Sequence, residues 1–391
     1  MRLLVIGAYY PFPPRVGSSI IAYHQMRELA KTHSVHFVCS DLEGNFADRM
    51  DFLDSCEFVA RAPPSARQKW IQIARGVPPL VAECRCPEMQ VRVSQLLARN
   101  SYDAMLIYGL MSVQYCPPQL LGRATVDIED PQSMRLQRMQ QLSLWTPWQR
   151  MKLRIHTQVM QRYERAVLAK LGRILVLSEA DRSDLMRCQD LASVGRVPYG
   201  VDVRAPEEIA GWDERTEGMI ALTGNMFHPP NVDGALHFLS SIFPLVLREH
   251  PSAVLWIVGA RPDPRIRAAA AGLGDRVRIT GMVPDIAKYM RRARVSICPI
   301  RLKIGAQTKI LEALSWATPV VTTSAGNSGI GASSGRDLWI EDAPESFAKR
   351  VVGLLRGEDW ARLSAAGQRF AREQFSWQRS AAELESQLVA L

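Results

Sequence analysis

The densest run of chemistry-bearing residues is Pro299-Ile300-Arg301-Leu302-Lys303-Ile304-Gly305-Ala306-Gln307-Thr308-Lys309-Ile310-Leu311-Glu312. A β-branched stretch ends at Pro299, a loop carries Gly305, and an apolar-periodic helix opens near Gln307. The free N–H groups and positive dipole end of such a helix make an anion site. Gly305 lets a phosphate approach the backbone closely. Arg301, Lys303 and Lys309 surround the same spot with positive charge. Glu312 falls about five residues into the helix, roughly 7–8 Å along its axis. That step matches the distance from a diphosphate to the ribose of a nucleotide, whose hydroxyls a carboxylate can accept. Lys309 and Glu312 are also spaced for an ordinary i,i+3 salt bridge on a solvated helix face. Spacing alone does not choose between the two.

The rest of the chain must hold that unit in place. At 391 residues it exceeds one ordinary core and fits two domains. Short β-branched runs alternate with amphipathic stretches: Arg2–Ile6, Val35–Cys39, Ala104–Tyr108, Ala124–Ile128 and Ile174–Leu177 read as strands. The rhythm breaks into polar, aperiodic sequence over 204–216, which reads as a linker. It restarts with Met219–Leu222, Ala253–Val258, Val277–Ile279, Val295–Pro299 and Pro319–Thr322. Alternating strands and helices imply parallel sheets, so the expectation is two α/β units with ligands at the carboxyl ends of their strands. The first strand leads into Gly7-Ala8-Tyr9-Tyr10-Pro11, which lacks the G-x-G-x-x-G of a dinucleotide oxidoreductase.

Composition narrows the partners. The formal net charge of +9 points to something anionic: a nucleic acid, an acidic membrane face or a phosphorylated substrate. Little beyond the charge favours nucleic acid. Seven cysteines, scattered apart from Cys84 and Cys86, make a poor zinc or disulfide framework and read as reduced cytosolic thiols. No metal or resident cofactor is expected. The apolar N-terminus is short and runs into Pro11, Pro13 and Pro14, unlike a signal peptide, and no stretch approaches the ~20 apolar residues of a membrane span. The expected location is cytoplasmic, peripheral at most on the inner face of the membrane.

Gly305 to Leu314, with Thr318-Pro319-Val320-Val321-Thr322-Thr323, resembles the donor-site signature of GT-B retaining glycosyltransferases of the family-4 type. Leu222-Thr223-Gly224-Asn225-Met226 with Pro230-Asn231-Val232-Asp233 is similar to a bacterial subgroup of exopolysaccharide and surface-glycan assembly. Val258-Gly259, Ile279–Asp285, Phe375-Ser376-Trp377, Leu177–Asp181 and Val197–Asp202 extend the likeness over nearly the whole chain. The resemblance implies two Rossmann-like domains with parallel sheets facing a central cleft. It places an acceptor-binding domain at 1–203, a linker at 204–216, a sugar-nucleotide domain at 217–374, and a last helix, 375–391, packing back on the first domain. It implies transfer of a hexose-type sugar from a UDP- or GDP-sugar to a glycan or lipid-linked glycan, with retention. Donor binding falls on Gly17, Gly224, Asn225, Met282, Val283, Lys303, Gly305, Thr308, Lys309 and Glu312. The family often places a glutamate where this chain has Ile304, and an arginine and a lysine where it has Gly224–His228. Neutralising the diphosphate therefore falls on Lys309, helped by Lys303 or Arg301. A GT-B epimerase and a catalytically silent GT-B partner subunit remain alternatives.

In the first half, Pro13-Pro14-Arg15-Val16-Gly17 joins a strand to a helix where family loops lie near donor and acceptor. Asp127-Ile128-Glu129-Asp130 ends a strand. Asp127 and Asp130 are the expected catalytic acids, orienting the acceptor hydroxyl or taking its proton. Asp127-x-Glu129 also fits a Mg²⁺ site, and Asp130 before Pro131 also fits a helix cap. Basic residues over 134–173 interleave with Trp145 and Trp148, and Arg15, Arg150 and Lys152 join them as acceptor or membrane contacts. Packing of each tryptophan on its own domain is the competing reading.

Overall fold

A computed structural model of the chain describes residues 1–14, 17–41, 50–189, 191 and 193–390. It separates into two compact units. The first holds Met1–Gln137, Pro147–Gly200 and Trp377–Leu391; the second holds Arg138–Thr146 and Val201–Ser376.

The first unit is built on a seven-stranded sheet ordered β3-β2-β1-β4-β5-β6-β7. Its strands are β1 (Arg2–Gly7), β2 (Ser34–Asp41), β3 (Ser55–Ala60), β4 (Ala104–Tyr108), β5 (Ala124–Asp127), β6 (Arg173–Val176) and β7 (Val194–Arg196). Every pairing is parallel. Leu3, Leu4, Val5 and Ile6 are all fully buried, and they alternate between two apolar clusters, Leu4 and Ile6 in one and Leu3 and Val5 in the other. That is the period-two pattern of a strand buried on both faces.

The second unit repeats the plan in a six-stranded sheet ordered β10-β9-β8-β11-β12-β13. These are β8 (Met219–Thr223), β9 (Val254–Val258), β10 (Val277–Gly281), β11 (Val295–Cys298), β12 (Val320–Thr322) and β13 (Trp339–Ile340). They too pair in parallel throughout.

Four helices matter below: α1 (Gly17–Leu29), α2 (Pro147–Leu168), α3 (Thr308–Ser315) and α4 (Trp377–Ser386). The last of these packs on α1 within the first unit. Gln25 donates to Ser380 at 3.0 Å, Ser380 donates to the Pro198 carbonyl at 2.7 Å, and the Trp377 indole stacks on His24 with ring centroids 4.5 Å apart.

The segment 204–216 is not a free linker. Arg215 is buried in the second unit, its guanidinium spread over the carbonyls of Ala210, Met290, Ala293, Trp316 and Ala317 and the Thr318 hydroxyl. Trp316 and Ala317 follow α3, so the arginine satisfies carbonyls that a helix end leaves without intrahelical donors. Polarity in this stretch signalled a satisfied interior cation, which sequence pattern cannot tell from a solvated one. Replacing Arg215 by Ala strands several buried carbonyls, and should lower unfolding free energy by about 3 kcal/mol or more in a urea titration.

Candidate active site

The second sheet carries its chemistry at the carboxyl ends of its strands. Gly224 follows β8 with φ 141°, and Gly259 follows β9 with φ 152°. The backbones cross so closely that a Cβ on Gly259 would lie 1.7 Å from the Gly224 carbonyl oxygen. A Cβ on Gly224 would in turn lie 3.0 Å from Asn231 Nδ2 and 3.4 Å from Lys309 Nζ. Only glycine at both points lets the strand ends close up against the lysine.

Lys309 sits in the first turn of α3 and donates to the side-chain oxygen of Asn231. Asn231 is held by its own amide, which donates to the Asn225 carbonyl at 2.9 Å. Lys309 makes no salt bridge with Glu312 among the described residues, so the solvated i,i+3 pair is not formed. Burial pulls the ammonium below the ordinary lysine value, while Cys298 and Glu312 nearby oppose that shift. Glu312, one turn on, is pushed up to about 7 by burial, with Lys309 and Arg204 pulling the other way. Beside them the Thr223 hydroxyl oxygen is buried without a partner. The result is a half-buried cation with spare donors at a helix N-terminus and a half-buried carboxyl group along the same helix. That set suits the diphosphate and ribose of a nucleotide.

The remaining donor-side residues fall around this centre. Gly305, with φ 49°, makes the turn before α3, and half-buried Thr308 is the first residue of that helix. The Asn225 side-chain oxygen accepts from the Phe227 amide at 3.2 Å. Exposed Met282 and half-buried Val283 follow β10 on the same carboxyl edge. Lys303 leaves its side chain exposed, and its carbonyl accepts from Arg138 at 2.7 Å.

Arg301 forms a two-point ion pair with buried Asp233, at 2.9 and 2.5 Å, through Nε and Nη2, which offsets its charge and leaves its other N–H groups on a half-exposed side chain. Ile304 is buried with Leu142 and Leu302 against Met139, Leu144 and Trp145. The turn 138–146 thus supplies an apolar cover at the position where the family often has glutamate.

Two residues that the sequence reading left without a role are part of the site. Asn231 orients Lys309, and Arg204 places a second positive charge near Glu312. Asn231 lay inside a motif matched by resemblance, which was the available signal. Arg204 gave none, because it sits in the stretch read as linker.

In the first unit, Gly17 is the first residue of α1, and Arg15 lies outside the described residues. Asp127 closes β5 and is 1% exposed. Its Oδ1 accepts the Glu129 amide at 2.9 Å, while its Oδ2 is buried with no partner. Burial pushes it up to about 7. Glu129 has φ 62° and is pushed up to about 8 by burial and by the neighbouring carboxylates of Asp127 and Asp130. Asp130 is engaged by Gln132 at 3.3 Å and Arg135 at 3.7 Å. Among the described residues no group of three or more His, Cys, Asp or Glu converges as a metal site.

Trp145 packs within its own unit. It is partly buried, and its indole N–H goes to the Met139 carbonyl at 2.7 Å. Trp148 is 59% exposed, and Lys152 lies over its ring at 5.0 Å. Arg150 and Lys152 are exposed on the same helix, α2.

The Asp127 shift fixes a stability trend. A carboxyl raised in the fold holds its proton more tightly than in the unfolded chain, so stability is lost as pH climbs from the ordinary value of 3.8 through about 7. Asp127→Asn keeps an acceptor for the Glu129 amide and removes the charge. It should match the parent near pH 4 and exceed it by on the order of 3 kcal/mol near pH 8, read by urea denaturation at each pH.

Comparison with known proteins places this geometry. Residues 217–357 match the family described as glycosyl transferases group 1. An uncharacterised 44.6 kDa protein in the cps region of Klebsiella pneumoniae is 26% identical over 143 residues. That match covers 35% of this chain and 37% of the relative, so it spans little more than a third of that protein. Sucrose-phosphate synthase from Thermosynechococcus elongatus superposes with a TM-score of 0.72 at 15% identity, over 99% of this chain and 98% of its own. WaaG, a glycosyltransferase involved in lipopolysaccharide biosynthesis, gives 0.66 at 14% identity over 98% and 99%. HepE from Anabaena, solved with UDP, gives 0.64 at 14% identity over 99% of each chain. The chain has the GT-B fold, and these matches support glycosyl transfer.

Proposed function

We propose that the chain transfers a hexose-type sugar from a nucleoside-diphosphate sugar to a hydroxyl of a glycan or lipid-linked glycan, in bacterial surface polysaccharide synthesis. The observation that carries this reading is Lys309, half-buried and hydrogen-bonded to Asn231 at the N-terminus of α3, with Glu312 one turn along. The bond from the sugar's anomeric carbon to the diphosphate breaks, and negative charge builds on the leaving oxygen beside Lys309 and the helix dipole. Electrostatic stabilisation at that point lowers the barrier. The acceptor oxygen forms the new bond and gives up its proton. Asp127, with a carboxyl near neutrality, and Asp130 are the acceptor-side groups suited to orient that hydroxyl or receive the proton. Retention of configuration belongs to this reading through the family resemblance. A uridine donor is favoured by HepE having been solved with UDP and with UDP-glucose.

The donor assignment is tested by thermal stabilisation with UDP, GDP and ADP, because a ligand that binds the folded state raises its apparent stability. One nucleotide should stabilise the protein clearly more than the others. With the matching donor sugar and membrane extract, Lys309→Ala should lower turnover by roughly 10²–10³-fold while leaving the ligand-free melting temperature close to the parent value. Near-normal turnover in that variant removes Lys309 from the reaction.

The membrane-contact reading rests on one face of α2. Trp148, Met151 and Ile155 are exposed there, beside exposed Arg150, Lys152 and Arg154. Apolar groups flanked by cations suit the interface of an anionic bilayer, on which the protein would lie at the cytoplasmic face. Among the described residues no helix is long and apolar enough to cross a membrane. Trp148→Ala combined with Lys152→Glu should weaken binding to phosphatidylglycerol vesicles, read by co-sedimentation, by roughly 30-fold, each change removing about 1 kcal/mol. Unchanged sedimentation would assign the face another role.

A further inference from the structure

The first unit buries a further cation, Arg61, that has no counter-charge among the described residues. Arg61 comes directly after β3 and is 5% exposed. One terminal nitrogen donates to the Glu83 carbonyl at 3.1 Å, and Nε is buried with no partner. The Glu83 carboxylate is held instead by Lys69 at 3.3 Å. No carboxylate pairs with Arg61 among the described residues. A guanidinium taken out of water is costly unless an anion meets it, and its fork is shaped for a two-oxygen partner.

The described groups that meet Arg61 are polar and uncharged. Its guanidinium carbon lies 5.3 Å from the ring centre of Tyr9, two residues past β1. The Tyr9 hydroxyl meets Cys84 Sγ at 2.9 Å, and burial pushes its pKa up to about 12, so it stays a phenol. The Tyr115 hydroxyl meets Ser40 Oγ, near the end of β2, at 3.0 Å, and also bonds the Cys84 carbonyl. The carboxyl ends of β1, β2 and β3 therefore converge on one buried cation, at the edge where α/β sheets take ligands. Tyr9 is 48% exposed, so the group opens to solvent on its side.

We propose that Arg61, backed by Tyr9, binds an oxyanion of the acceptor: a phosphate of a lipid carrier or a carboxylate of an acidic sugar. Only the word acceptor rests on the transferase reading; the anion site stands on its own geometry.

The test uses the full-length chain carrying Lys309→Ala, which weakens the other anion site. Thermal shift is measured with inorganic phosphate, decyl phosphate and glucuronate. At least one should stabilise the protein saturably, and adding Arg61→Met should abolish the response without lowering the ligand-free melting temperature. Decyl phosphate binding at least tenfold tighter than inorganic phosphate assigns a lipid phosphate; a response to glucuronate alone assigns an acidic sugar. Arg61→Lys, which keeps the charge and loses the fork, should weaken the response severalfold. No response to any of the three, a response unchanged by either Arg61 variant, or loss of folding in Arg61→Met each overturns the proposal, the last by making Arg61 a structural cation. Nucleotide titration of the parent fails or succeeds independently. An oxyanion response without nucleotide binding strikes the transferase reading and leaves this site standing.

Discussion

The burial of Lys309 governs how the second unit is built around its sheet edge. An ammonium removed from water costs several kcal/mol unless something replaces its hydration. Here the replacement is one amide oxygen, fixed by the Asn225 carbonyl through Asn231, with two glycines clearing the space. A larger residue at Gly224 or Gly259 would push the strand ends apart and leave the ammonium in solvent. The fold therefore keeps a partly satisfied cation at a helix N-terminus, a charge and donor set suited to an anion. Arg215 shows the opposite case within the same unit. It is the more deeply buried of the two, 3% exposed where Lys309 is half-buried, and its guanidinium donors are spread over five carbonyls and a hydroxyl, which makes it a structural cation.

This contrast explains what was legible in the sequence. The β-branched runs marked every strand of the two sheet centres, because parallel strands buried on both faces must be apolar nearly throughout. The loop from Pro299 to Glu312 was legible as well, since a strand, a glycine and a cationic helix start are local features. The partners of charged residues were not. Arg301 and Asp233 are 68 residues apart, and only the folded sheet shows that they neutralise each other. Arg215 looked like part of a polar linker because side-chain type records charge and says nothing of enclosure. Trp145 and Trp148 stand three residues apart with the same interfacial chemistry, yet one turns inward to Met139 and the other outward to Lys152.

The acids after β5 obey a related constraint. Three carboxyl groups within four residues cannot all ionise cheaply when water is scarce. Arg135 and Gln132 engage Asp130, while burial first, and for Glu129 its acidic neighbours next, raises Asp127 to about 7 and Glu129 to about 8. The left-handed backbone at Glu129 lets its amide turn back onto Asp127 Oδ1, so one oxygen is anchored and the other is left unmatched. A carboxyl with one anchored oxygen and one buried, unmatched oxygen is more easily kept protonated than charged.

Ile304 shows how a departure from a family pattern can be internally consistent. A glutamate at that position would be enclosed by Leu142, Leu302 and Trp145, and its charge would be desolvated with no cation placed to meet it. Arg301, the nearest candidate by sequence, is committed to Asp233. The isoleucine and the apolar turn 138–146 therefore belong together, and changing either alone would open a cavity or bury a charge. The donor loop is held by packing at Ile304 and by the Arg138 bond to the Lys303 carbonyl, where a carboxylate would otherwise be available to a sugar. Polar chemistry at this edge therefore comes from elsewhere than residue 304, and the buried, unpartnered Thr223 hydroxyl beside Gly224 ends β8 on that same edge.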